Sequence, residues 1–113
     1  MSDVWILRSI GGRDRATGAP LRGVLAAADY HNHAVPLEEE FCGAIGRLVA
    51  AGLVAADPAG DRYWLTAAGV PLAERRGSFA AVLADLERVA LPAAPPWRLP
   101  AGTFRAAVDA YLG

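Results

Sequence analysis

Apolar positions keep a helical rhythm through the middle of the chain. Leu37, Phe41, Ile45 and Leu48 recur at i, i+4, i+8 and i+11, which predicts one buried stripe on an amphipathic helix. Glu38, Glu39 and Glu40 fill its first turn, where carboxylates complement the positive end of the backbone dipole. Gly52 ends it, because a residue without Cβ enters the left-handed region at little cost. The rhythm then becomes that of strands. Leu53 and Val54 open one, and Arg62-Tyr63-Trp64-Leu65, rich in β-formers, returns as a second. Between them Asp57-Pro58-Ala59-Gly60 suits a type I turn, with Pro presetting φ at the second position and Gly at the fourth.

The flanks add helices. Val4, Ile6, Leu7 and Ile10 predict a first helix over Asp3 to Ile10, with Trp5 in or near the core. Gly11-Gly12 and Ala16 to Ala19 read as a loop. Pro20 suits the first turn of a second helix, which runs to about Tyr30 with Leu21, Val24, Leu25 and Ala28 inward. His31 to Pro36 reads as a turn. After the hairpin, Thr66 is placed to cap a short helix. Pro71 would break a backbone bond deep inside it, so the helix is expected from about Val70 to Gly77. Ser78 caps a further helix over Phe79 to Ala90, with Phe79, Val82, Leu83, Leu86 and Val89 on one stripe. Pro92, Pro95, Pro96 and Pro100 make a stiff connection. Thr103 caps a last helix with Phe104, Val108, Tyr111 and Leu112 on one face.

The fold class is therefore mainly α with a small β-hairpin. Arg47-Leu48-Val49-Ala50-Ala51-Gly52-Leu53-Val54, the hairpin, and then Leu65-Thr66-Ala67-Ala68-Gly69 resemble the recognition helix and wing of winged-helix proteins, such as the MarR-like and PadR-like bacterial transcription regulators. The likeness covers about half of the chain well. It implies a winged-helix three-helix core over residues 1–77 and a C-terminal helical extension over 78–113 in the same compact unit. It also implies a small regulator that binds double-stranded DNA through the third helix and the wing.

Charge complicates that implication. The 113 residues carry 11 Lys+Arg, all of them arginine, against 12 Asp+Glu, for a net charge of −1. Such a balance lacks the basic footprint of a dedicated nucleic-acid binder, so local distribution has to decide. From His31 to Gly52 three glutamates face one arginine, a net of −2. Affinity for a duplex comes from neutralising phosphates, and this helix offers only Arg47. The wing tip sets Asp57 and Asp61 against Arg62. Further bases, Arg8, Arg75 and Arg76, are scattered. The residues available for phosphate contact are Arg13, Arg15, Arg22, Arg47 and Arg62. The alternative is a protein-interaction module, with Glu38, Glu39 and Glu40 meeting a basic partner surface.

Other chemistry is sparse. Asp29, His31, His33 and Cys42 are residue types that bind zinc, but their spacing completes no ligand pattern, and no metal or other cofactor is expected. Cys42 is the only cysteine, which excludes an internal disulfide and suits a reducing cytoplasm. There is no phosphate loop, no Gly-x-Ser-x-Gly and no distinctive carboxylate pair, so an enzyme is not expected. No apolar run is long enough to span a membrane, and the N-terminus has no basic leader, so neither membrane nor export is expected. Residues 78–113 carry many large apolar side chains. A homodimer through that region is the expectation, and a strap folded back on the same domain with Trp97 as its anchor is the alternative.

Overall fold

The computed structural model describes residues 2–74 and 96–113. Among them are five helices and one antiparallel hairpin: α1 (Ser2–Arg8), α2 (Leu21–Asn32), α3 (Glu38–Ala50), β1 (Val54–Asp57), β2 (Arg62–Leu65), α4 (Gly69–Glu74) and α5 (Thr103–Leu112). The mainly helical class with a small hairpin is as predicted. The expected helix over 79–90, the stop at Gly77, Arg75, Arg76, Pro92 and Pro95 lie outside the described residues.

Helices α1, α2 and α3 share one core. Val4, Ile6, Leu7, Val24, Leu25, Phe41, Ile45 and Leu48 are all fully buried. Trp5 joins them, and its indole N–H donates to the Ala28 carbonyl at 2.9 Å, so its polar atom stays satisfied inside. Leu37 departs from the expected stripe. It is the N-cap residue of α3 and 64% exposed, because a residue at the helix boundary no longer follows the helical turn that its sequence spacing assumes. The Glu40 carboxylate accepts the Leu37 backbone N–H at 3.0 Å, the reciprocal half of a capping box.

Several boundaries move for local reasons. α1 ends at Arg8, and Ser9 and Ile10 close with tighter i to i+3 bonds. Pro20 is the N-cap of α2 rather than part of its first turn. α2 continues through His31 and Asn32, which were expected in a turn. It stops at His33, which takes φ 53° and donates its N–H to the Asp29 carbonyl. Gly102, at φ 84°, caps α5 in place of Thr103. Leu112, expected on the inner face of α5, is 68% exposed.

The joint between α3 and the hairpin explains the Leu-Thr-x-x-Gly pattern physically. Gly52 takes φ 76°, the Leu53 N–H reaches the Leu48 carbonyl and the Gly52 N–H reaches the Val49 carbonyl, a Schellman closure. Thr66 then ties the far strand back, its hydroxyl donating to the Gly52 carbonyl at 2.6 Å and accepting the Gly69 N–H at 3.1 Å. Gly69 must be glycine, since a Cβ there would lie 1.9 Å from the Leu53 carbonyl oxygen. Pro71 is the third residue of α4, inside the first turn, where its missing N–H breaks nothing.

In the hairpin Val54 faces Leu65, Ala55 faces Trp64, Ala56 faces Tyr63 and Asp57 faces Arg62. The turn differs from the expected one. The Asp61 N–H bonds to the Pro58 carbonyl, while the Gly60 N–H bonds to the Asp57 side chain at 3.1 Å. Asp61, not a glycine, takes the left-handed conformation at φ 53°. Aspartate tolerates that region, and here its carboxylate accepts the Leu21 N–H at 2.8 Å, capping α2 from the wing. The loop before α2 is also more ordered than its glycines suggest. Ala19 and Tyr63 exchange both backbone bonds, at 3.0 and 2.9 Å, so an extended segment flanks β2.

Residues 96–113 fold back on the same core. Trp97 meets Phe41 and Tyr63 edge-on, with centroids 6.2 and 6.4 Å apart, and Phe104 tilts against Phe41 at 5.9 Å. Leu99 and Phe104 belong to the buried cluster, and α5 packs along α2. The Tyr111 hydroxyl donates to Asp29 at 2.5 Å. Leu99 and Phe104 are thus buried within the chain, and Trp97 is half-buried against the same cluster. Phe79 to Val89, the other part of the expected dimer surface, lie outside the described residues.

Candidate functional site

α3 and the hairpin form the face on which the sequence places function. The hydrogen bonds and ion pairs of the described residues decide what that face offers. Arg47 leaves α3 toward α1, where Asp3 receives it bidentately: Nε to Oδ2 at 2.8 Å and Nη2 to Oδ1 at 2.7 Å. The hydrogen bond to Asp3 pushes the guanidinium pKa further up, against the opposing effect of partial burial. The one base of α3 is a fastener between helices.

The loop arginines are committed in the same way. Arg13 pairs with Glu74 of α4, and Arg15 pairs with Asp57 of β1. The Arg15 guanidinium also lies 5.2 Å from the Trp64 ring centroid, a cation–π contact that ties the loop to the wing. The Arg15 hydrogen bond and then the Gly60 amide hold the Asp57 carboxyl below its usual range. Arg62 donates to the Asp61 carbonyl at 3.1 Å. Arg22 is exposed at the start of α2, and no ion pair joins it to another described residue. The candidates Arg13, Arg15, Arg22, Arg47 and Arg62 therefore separate by partner: Arg13, Arg15 and Arg47 are each paired with a carboxylate.

The acidic candidates separate too. Glu40 is half-buried and its carboxylate serves the Leu37 amide. Glu38 and Glu39 are exposed and form no ion pair with another described residue. Beside them the 96–99 strap runs along α3 and covers Cys42, which is 8% exposed. Burial raises the Cys42 thiol pKa, partly offset by hydrogen bonding from the Leu99 backbone, so the sulfur stays protonated at neutral pH.

The zinc-type residues are not brought together. Cys42 lies under the strap, Asp29 receives Tyr111, and His31 Nε2 sits 3.1 Å from the Arg8 carbonyl oxygen. Among the described residues no three metal-ligating side chains converge, and no helix is long and apolar enough to cross a membrane. Sequence reasoning missed Asp3 as the partner of Arg47 and Asp57 as the partner of Arg15. Their separations of 44 and 42 residues carry no local signal. The strap was partly legible, since a tryptophan in a proline-rich segment needs somewhere to bury its ring. No protein-family model, curated protein or solved structure matches the chain.

Proposed function

We propose that this chain is a winged-helix module that recognises a protein partner through the acidic outward face of α3. The order of helix, helix, helix and hairpin supports the winged-helix part, as does the extended segment at Ala19 that flanks β2. One observation carries the choice of partner. Arg47, the only base on α3, is held by Asp3, which leaves Glu38 and Glu39 as the charges α3 presents. A duplex would meet carboxylates where it needs cations. A basic protein surface finds complementary charge there.

DNA binding is the second reading. The same element order favours it, as does Arg22, which forms no ion pair with another described residue, and α3 would then enter the major groove. The two readings diverge sharply in one titration. Labelled random and genomic duplexes are followed by anisotropy at low salt with micromolar protein. The protein-recognition reading expects no binding, and tight binding that weakens steeply with salt would establish the DNA reading instead. In parallel, affinity capture compares the native chain with a Glu38→Gln/Glu39→Gln variant. Loss of the captured proteins from the variant is the expected result, and identical capture by both would remove the acidic face from the contact.

A further inference from the structure

Resting on the protein-recognition reading, we infer that the groove between the first two turns of α3 and the 96–99 strap is the docking site. Its occupant is a single arginine or lysine side chain presented on an otherwise apolar segment of a partner protein. The groove is a solvent-open depression of about 720 Å³, and Glu38, Glu39, Cys42 and Gly43 line it from α3 while Trp97 and Arg98 line it from the strap.

The chemistry of its walls is divided in a way that suits such a side chain. The base is apolar: Cys42 is buried and its thiol neutral. Trp97 is half-buried, anchored edge-on against Phe41 and Tyr63, and contributes an aromatic wall. An aliphatic stem packs on such a wall and a guanidinium stacks on it. The α3 lip carries Glu38 and Glu39, exposed and without an ion pair to another described residue, within reach of the head group of a cation lying in the groove.

Gly43 lies between these two walls. A Cβ there would meet the Arg47 guanidinium, Nη1 at 3.4 Å and Nη2 at 3.5 Å, so the glycine leaves room for the arm that reaches Asp3. Arg98 sets the limit on the occupant. It is exposed on the strap lip and repels a second cation, so a polybasic tail is a poor ligand.

The test uses the full chain and three pentapeptides: one with a central arginine between leucines, its glutamate-centred counterpart, and a triple-arginine version. Binding is followed by amide NMR shifts. The single-arginine peptide is expected to saturate, with shifts confined to residues 38–43 and 96–99 and the Trp97 indole. The glutamate peptide should not bind, and the triple-arginine peptide should bind more weakly than the single. Glu38→Gln/Glu39→Gln should weaken the single-arginine peptide about tenfold, the sum of two exposed charge contacts. Failure of the single-arginine peptide to bind, equal binding of the glutamate peptide, or full binding by the Glu38→Gln/Glu39→Gln chain overturns the inference. Shifts on another face overturn the groove and leave protein recognition standing. Salt-sensitive duplex binding, with no peptide shift in the groove, overturns protein recognition itself.

Discussion

Arg47 on α3 grips Asp3 on α1 through two parallel hydrogen bonds, 2.8 and 2.7 Å long, across 44 residues of sequence. The pair is only partly sheltered, with Asp3 15% and Arg47 43% exposed at the side chain. Solvent screening therefore discounts its energy well below that of a buried pair. Asp3→Ala should cost about 1 kcal/mol, and a double-mutant cycle with Arg47→Ala should recover a coupling below that. Additive single-variant losses in denaturant melts would mean that the two side chains do not act together. Duplex affinity of the Asp3→Ala chain is informative as well. Freeing Arg47 should leave it unchanged if α3 does not read DNA.

Two glycines should respond in opposite directions to the same substitution. Gly69→Ala forces a Cβ to 1.9 Å from the Leu53 carbonyl, so backbone must move, at about 2–3 kcal/mol. Gly43→Ala meets only the end of Arg47 and gains helix propensity, so it should stabilise by about 0.5–1 kcal/mol. Urea midpoints of the two variants, at unchanged m-value, check both signs at once.

Phe41 and Leu37, four residues apart on the same predicted stripe, should behave differently. Phe41 is fully buried and touches Tyr63, Trp97 and Phe104, so Phe41→Ala should cost about 3–5 kcal/mol. Leu37 is 64% exposed, and Leu37→Ala should cost less than about 0.5 kcal/mol. Comparable losses from the two in equilibrium melts would return Leu37 to the core.

Acid should loosen the wing before it unfolds the core. The Asp57 carboxyl titrates below 3.8 because Arg15, and then the Gly60 amide, favour its charged form. Its folded pKa is depressed, so the folded state binds fewer protons than the unfolded chain between the two values. The contribution is complete above 3.8 and disappears as pH falls through the folded pKa. Carboxyl NMR should place the Asp57 midpoint under 3.8, and Arg15→Gln should move it back up. A midpoint unaffected by Arg15→Gln would show that the loop does not hold the wing.

Local rules carried the outline of this protein. Helix periodicity located Phe41, Ile45 and Leu48 in the core, and the missing Cβ of Gly52 marked the end of α3, because both signals act over a few residues of chain. Leu-Thr-x-x-Gly was legible as a pattern, but its reason was tertiary: Thr66 reaches back to the Gly52 carbonyl and Gly69 abuts Leu53. The same division runs through the candidate site. Composition showed that α3 is acidic. Only the fold decided that Arg13, Arg15 and Arg47 are spoken for by Glu74, Asp57 and Asp3, that Asp61 caps α2, and that Trp97 lies across Phe41 beside an open groove. Those contacts join residues tens of positions apart. Chain neighbours constrain backbone dihedrals and periodic faces, whereas ion pairs and grooves depend on which faces the packed core brings together.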